Sequence, residues 1–139
     1  VTSLIPCYIA HRLGAGADRE TNRLKAQRWV AWLAGRYLIE PVAPWIILAA
    51  EWPESMRELG LEIDRAAIER CELVIACGEQ VGLSAGMQLE AGWAKRVADI
   101  TGYGWGLDGP ARLRVIDRKL IDLALIGCGI EVRPMARRS

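Results

Sequence analysis

An apolar run of strand length, Glu72-Leu-Val-Ile-Ala-Cys77, passes through a glycine-punctuated loop into helix formers that open at Ser84. Strand, loop and helix N-terminus in that order commit the chain to an α/β crossover. The arrangement also leaves exposed amides and a helix dipole at the point where an anionic group can sit. Within this helix lies one carboxylate, Glu90. Gly86 stands four residues before it and Ala94 four after, on the same helical face. Two such small residues leave room above the carboxylate for a ligand to approach.

The rest of the chain alternates in the same way. Leu4 to Ala10 reads as a first buried strand in which Pro6 marks either its first residue or an irregularity, and His11 to Asp18 as a loop with two glycines and a basic residue. Asp18 or Thr21 is placed to cap a helix running to about Ala34 and ended by Gly35. Tyr37 to Val42 forms a second strand. Trp45 to Ala50 reads either as a short helix or as a third apolar strand, closed by Pro53. Trp45 and Trp52 are core or lid residues, or a flat face for a nucleobase.

From Glu54 to Cys71, the residues Met56, Leu59, Ile63, Ala67 and Cys71 recur at helical spacing, with Asp64 beside them. After the Glu90 helix, Asp99 to Gly109 holds four glycines in eleven residues, with a brief strand at Ile100 to Tyr103. Pro110 to Ile126 reads as a helix with Leu113, Ile116, Leu120 and Leu123 in register. Ile130 to Val132 is a last strand, and Ala136 to Ser139 a frayed end.

These elements predict an α/β fold, a single-domain Rossmann- or flavodoxin-like three-layer arrangement on a mostly parallel sheet. The one domain spans 1–139, with a core at about 4–98 and a C-terminal helical segment at about 108–127. If the strand order is 2-1-3, the loops at 11–19 and 78–84 face one crevice, and ligands gather there.

Composition narrows the partners. A net charge of +1 offers no general attraction to nucleic acid or anionic membranes, and no run reaches the roughly 18 apolar residues of a membrane span. No leader pattern opens the chain, so the expected compartment is the cytoplasm. The four cysteines form no C-x-x-C pair, and Cys7, Cys71 and Cys77 lie in or beside apolar runs, as buried reduced thiols do. His11 is the only histidine, so no metal site is expected. No other cofactor is expected either.

Three strings together carry a resemblance: Cys7-Tyr8-Ile-Ala at the first strand, Glu62-Ile-Asp64-Arg in the helix before the third, and Ser84-Ala-Gly86-Met-Gln-Leu-Glu90-Ala-Gly92-Trp-Ala94. This set resembles the nucleoside 2-deoxyribosyltransferase superfamily, including its relatives that hydrolyse nucleoside 5′-monophosphates, over roughly Tyr8 to Lys95. The resemblance implies Glu90 as nucleophile on the anomeric carbon, with Tyr8 holding its carboxylate in line and Asp64 contacting the base and supplying its proton. It implies Ser84 and Gly86 at the sugar's 5′ end. The transferases typically carry an acid at the position of Ser84, and the monophosphate hydrolases a serine. Arg12 and Arg19 are placed to pair with a 5′-phosphate. Members commonly read Y-I-A-G-P where this chain has Tyr8-Ile-Ala-His11-Arg12. The asparagine that the transferases lend from a neighbouring subunit has no counterpart, since the one Asn here is Asn22.

The expected function is therefore cleavage or exchange of an N-glycosidic bond on a nucleoside or nucleotide by a homo-oligomer. Its rivals are a nucleotide sensor without catalysis, and an interaction protein that dimerises through the 110–126 helix.

Overall fold

The computed structural model describes residues 3–134. Four strands, β1 (Ile5–His11), β2 (Ile39–Val42), β3 (Leu73–Cys77) and β4 (Val97–Asp99), form one all-parallel sheet in the order β2-β1-β3-β4. Five helices surround it: α1 (Ala17–Arg36), α2 (Pro44–Glu51), α3 (Arg57–Arg70), α4 (Ala85–Trp93) and α5 (Val115–Ile126). This is the α/β three-layer fold that the alternation predicts.

Strand alternation divides the core in two. Along β1 and β3, Cys7, Ile9, Leu73, Ile75 and Cys77 face Trp29 and Leu33 of α1 and Ile121 and Leu125 of α5. Tyr8, Ala10, Val74 and Ala76 face α2, α3 and α4 through Trp45, Ile68 and Met87. Leu33, Ile121 and Leu125 are fully buried, each contributing roughly 1.5–3 kcal/mol of transfer free energy. Pro6 sits inside β1, but pairing with β3 begins only at Cys7, so its missing N–H costs no bond on that side.

Several boundaries differ from expectation. α1 starts at Ala17 behind Gly16, whose φ of 61° turns the chain straight into the helix; neither Asp18 nor Thr21 caps it. Asp18 lies instead in the first turn, where its carboxylate meets the positive end of the dipole. Gly35 does not end α1 but lies within it. The helix stops at the extended Tyr37, whose hydroxyl donates to Asp122 Oδ1 at 2.6 Å. Arg36 Nε and Nη2 each donate to the same carboxylate at 2.8 Å, so α5 clamps the last turn of α1.

Trp45 to Ala50 is helical, entered through Pro44 at its first position. A 3-10 turn, Glu54–Met56, precedes α3. The third crossover ends at β4, three residues before the brief strand expected at Ile100 to Tyr103, because α4 closes at Trp93 and the chain pairs at once with β3. Pro110 to Ile126 is two pieces, a kinked 3-10 segment (Gly106–Arg112) and α5. Of the expected apolar register only Leu113 is buried. Ile116, Leu120 and Leu123 face outward at 59%, 46% and 66% exposure, and Ile121 and Leu125 face the sheet. Ile130 to Val132 contributes only an antiparallel bridge, Val132 to Tyr37. The frayed end at 136–139 lies outside the described residues. No helix among the described residues is long and apolar enough to cross a membrane.

Candidate active site

A cleft of about 520 Å³ opens at the carboxyl end of β1, on the side of the sheet covered by α2, α3 and α4. Its position follows from chain direction, since parallel strands deliver all their connecting loops to one edge. Six of the seven expected site residues line it: Arg12 and Arg19 from the β1–α1 connection and helix α1, Asp64 from α3, and Ser84, Gly86 and Glu90 from the start and body of α4. The seventh, Tyr8, lies fully buried beneath the cleft and donates its hydroxyl proton to Glu90 Oε2.

Each position has a local cause. Tyr8 points toward α4 because it shares its face of β1 with Ala10, whose small side chain leaves the ring space. Ser84 is the N-cap of α4, its Oγ accepting from the Met87 N–H at 3.3 Å. Glu90 follows a turn and a half later. A Cβ built on Gly86 would meet nothing within 4 Å, so the space above Glu90 is open. Ala94 does not share that face: it is the extended C-cap of α4. Asp64 sits in the buried face of α3 with Ala67 and Ile68, and its Oδ1 has no hydrogen-bond partner.

Burial governs the electrostatics. Desolvation pushes Asp64 up to about 6 and Glu90 up to about 7, opposed in both by the Tyr8 hydroxyl, while Asp64 further raises Glu90. Burial and the two adjacent carboxylates drive the Tyr8 hydroxyl far above its ordinary range, so it remains a donor. Two carboxyl groups thus flank one phenol, with Glu90 holding the hydrogen bond that favours its ionised form and Asp64 lacking an equivalent for Oδ1. With Asp64 at about 6 and Glu90 at about 7, the single proton of the pair rests mainly on Glu90, and the form with Asp64 protonated and Glu90 charged is the smaller fraction.

The walls are apolar and the rim basic. Trp45 is packed, its indole N–H donating to the Ile9 carbonyl at 2.9 Å, which leaves Trp52 as the partly exposed ring of the pair. Arg12, Arg19 and Arg57 line the cleft and form no ion pair among the described residues. Asn22 donates to the Leu13 carbonyl at 3.0 Å and so braces the β1–α1 loop. No three His, Cys, Asp or Glu side chains among the described residues gather as a metal ion would need.

Sequence reasoning missed Arg57, Gly60 and Leu61, which share Asp64's side of α3 in the cleft wall. Their spacing from Asp64 (seven, four and three residues) carried the signal, once Asp64 itself is taken as facing inward.

The fold and cleft together define an α/β protein with a paired-carboxylate site at the carboxyl edge of a parallel sheet. No protein-family model, curated protein or solved structure matches the chain.

Proposed function

We propose that this protein cleaves or exchanges the N-glycosidic bond of a nucleoside or nucleoside 5′-monophosphate through a covalent ester on Glu90. The observation that carries the reading is the hydrogen bond from buried Tyr8 to Glu90 beneath a cleft that also holds the unsatisfied Oδ1 of Asp64. A purely structural carboxylate is ion-paired or solvated; among the described residues neither of these has a basic partner, and Asp64 Oδ1 is buried with no hydrogen bond.

In the reaction, a Glu90 carboxylate oxygen bonds to the anomeric carbon as the carbon–nitrogen bond breaks. The electron pair goes to the base nitrogen, which takes the proton from Asp64. Water, or a second base, then attacks the same carbon. The ester bond returns its electrons to Glu90, and the incoming group gives a proton to Asp64. Open space over Gly86 admits the sugar, Trp52 offers a face for the base, and Arg12, Arg19 and the Ser84 hydroxyl suit a 5′-phosphate.

The reading extends to a cytoplasmic homodimer. The exposed stripe of Ile116, Leu120 and Leu123 on α5 suits a second copy of the chain.

The test is release of free base from a panel of nucleosides and 5′-monophosphates, with mass spectrometry of the quenched enzyme for a sugar ester on the Glu90 peptide. Glu90→Ala should lower release by on the order of 10²-fold or more. Equal release by wild type and Glu90→Ala would remove the nucleophile assignment. Binding without release on every substrate would favour a sensor.

A further inference from the structure

The carboxyl edge of the sheet carries a second cavity, of about 300 Å³, that the proposed reaction does not use. Alternation along β1 sends Tyr8 toward the Glu90 cleft and His11 to the opposite face, beside Cys77. The second cavity opens on the His11 side, between the first turns of α1 and the loop 78–82 that follows β3. This is the crevice between β1 and β3, where the strand order reverses.

The two cavities share a wall, since His11, Arg12, Gly14 and Met87 line both. Arg12 therefore stands on the partition, half-buried and without an ion pair among the described residues. The linings differ in kind. The cleft presents Leu48, Trp52 and other apolar groups, whereas the second cavity presents Asp18, Thr21 and Gln80, whose side chains make no hydrogen bond among the described residues. Its one acid–base pair, Lys25 with Glu79 at 2.5 Å, is internally neutralised. His11 adds a neutral imidazole: burial lowers its pKa, Nδ1 lies 2.6 Å from the Arg12 carbonyl and donates to it, and Nε2 is left as an acceptor. Gly78 makes room for this ring, because a Cβ there would come within 3.3 Å of Nε2.

An apolar chamber, an unpaired guanidinium on the partition and a polar chamber beyond it follow the chemical order of a nucleotide extended through its 5′-phosphate. We infer that the preferred ligand is a nucleoside 5′-diphosphate ester, a dinucleotide or a nucleoside diphosphate sugar. Its diphosphate lies at Arg12, and the hydroxyls of its second sugar meet Asp18, Thr21 and Gln80 in the second cavity. The inference rests on the N-glycosidic reading for which half enters the Glu90 cleft; that a second half exists rests on the second cavity alone.

Titration calorimetry on the whole chain tests it with two matched pairs, AMP against ADP-ribose and nicotinamide mononucleotide against NAD+. At least one extended member should bind tenfold or more tighter than its mononucleotide. Thr21→Trp and Gln80→Trp, at exposed positions that line only the second cavity, should each erase that gain while the mononucleotide keeps its affinity. Extended members that bind no tighter than their mononucleotides would overturn the inference, as would variants that weaken both members alike. If mononucleotides bind and lose their base while extension adds nothing, only the second-cavity inference falls. If no member of either pair binds, the second-cavity inference falls, and the base-release panel decides the glycosidic reading separately.

Discussion

Tyr8 and Glu90 lie 82 residues apart in the chain and meet in one hydrogen bond, donated by a phenol with no solvent exposure to a carboxylate at the floor of an open cleft. The bond ties the central strand to α4 at the point where the proposed chemistry begins. Tyr8→Phe keeps the ring and removes the donor. The fold should lose about 1 kcal/mol, read by denaturant unfolding. Base release should fall about tenfold or more, with its acid limb moved to higher pH, since Glu90 loses the contact that stabilises its charge. An unshifted limb would mean that the phenol does not tune Glu90.

The pH dependence follows from the pair. The proposed reaction needs Glu90 ionised and Asp64 protonated, the less populated placement of the single proton, and both groups titrate between about 6 and about 7. kcat/KM should trace a bell with its top in that interval, both limbs belonging to the pair rather than to either residue. Stability runs the other way. A carboxyl whose folded pKa is raised contributes fully below its unfolded pKa, and the contribution is lost as pH rises through the folded value. Wild type minus the Asp64→Asn, Glu90→Gln double variant should therefore show a Tm difference that moves against wild type between roughly pH 4 and pH 7. A difference independent of pH would contradict the raised values.

Ser84 offers a test of substrate charge. Ser84→Asp keeps an N-cap acceptor for the Met87 N–H, so α4 should form as before. The added charge should weaken 5′-monophosphates by about tenfold or more in KM, with unphosphorylated nucleosides unaffected or improved. Equal effects on both classes would place the phosphate elsewhere.

Gly60 lies inside α3 with ordinary backbone angles, and a Cβ there would meet nothing within 4 Å. Gly60→Ala should raise stability by about 0.5–1 kcal/mol through helix propensity alone. Gly60→Leu should instead reach into the cleft and raise KM with kcat little changed. A drop in kcat alone would show that this wall touches the reacting atoms.

The two central strands were legible because a buried parallel strand is an apolar run with few alternatives, and 73–77 and 5–11 are such runs, whereas the short edge strand at 97–99 is not. Helix faces were less so. α5 reads Val-Ile-Asp-Arg-Lys-Leu-Ile-Asp-Leu-Ala-Leu-Ile, apolar on more than one side, and periodicity alone does not choose between the stripe of Leu120 and Leu123 and that of Ile121 and Leu125. Asp122 decides it, because its ties to Arg36 and Tyr37 turn Ile121 and Leu125 inward. In α3 the stripe held at Ala67 and Cys71 and failed at Leu59, because the inward face is completed by Asp64 rather than by an apolar residue. The site was visible as separate residues. The contact of Tyr8 with Glu90 was expected only through the resemblance, and the guanidinium of Arg57 was not expected at all; both depend on how strands and helices converge, which no local pattern encodes.

The orphaned oxygen of Asp64 sets heat resistance and chemistry against each other. An apolar residue of similar volume at this position would remove a buried, unsatisfied oxygen and tighten the packing of α3, so selection for toughness would favour descendants that have given up the proposed proton donor. A laboratory lineage propagated under heat alone would record the loss of catalysis as an improvement, and Tm across such a lineage would be an inverse gauge of the proposed activity.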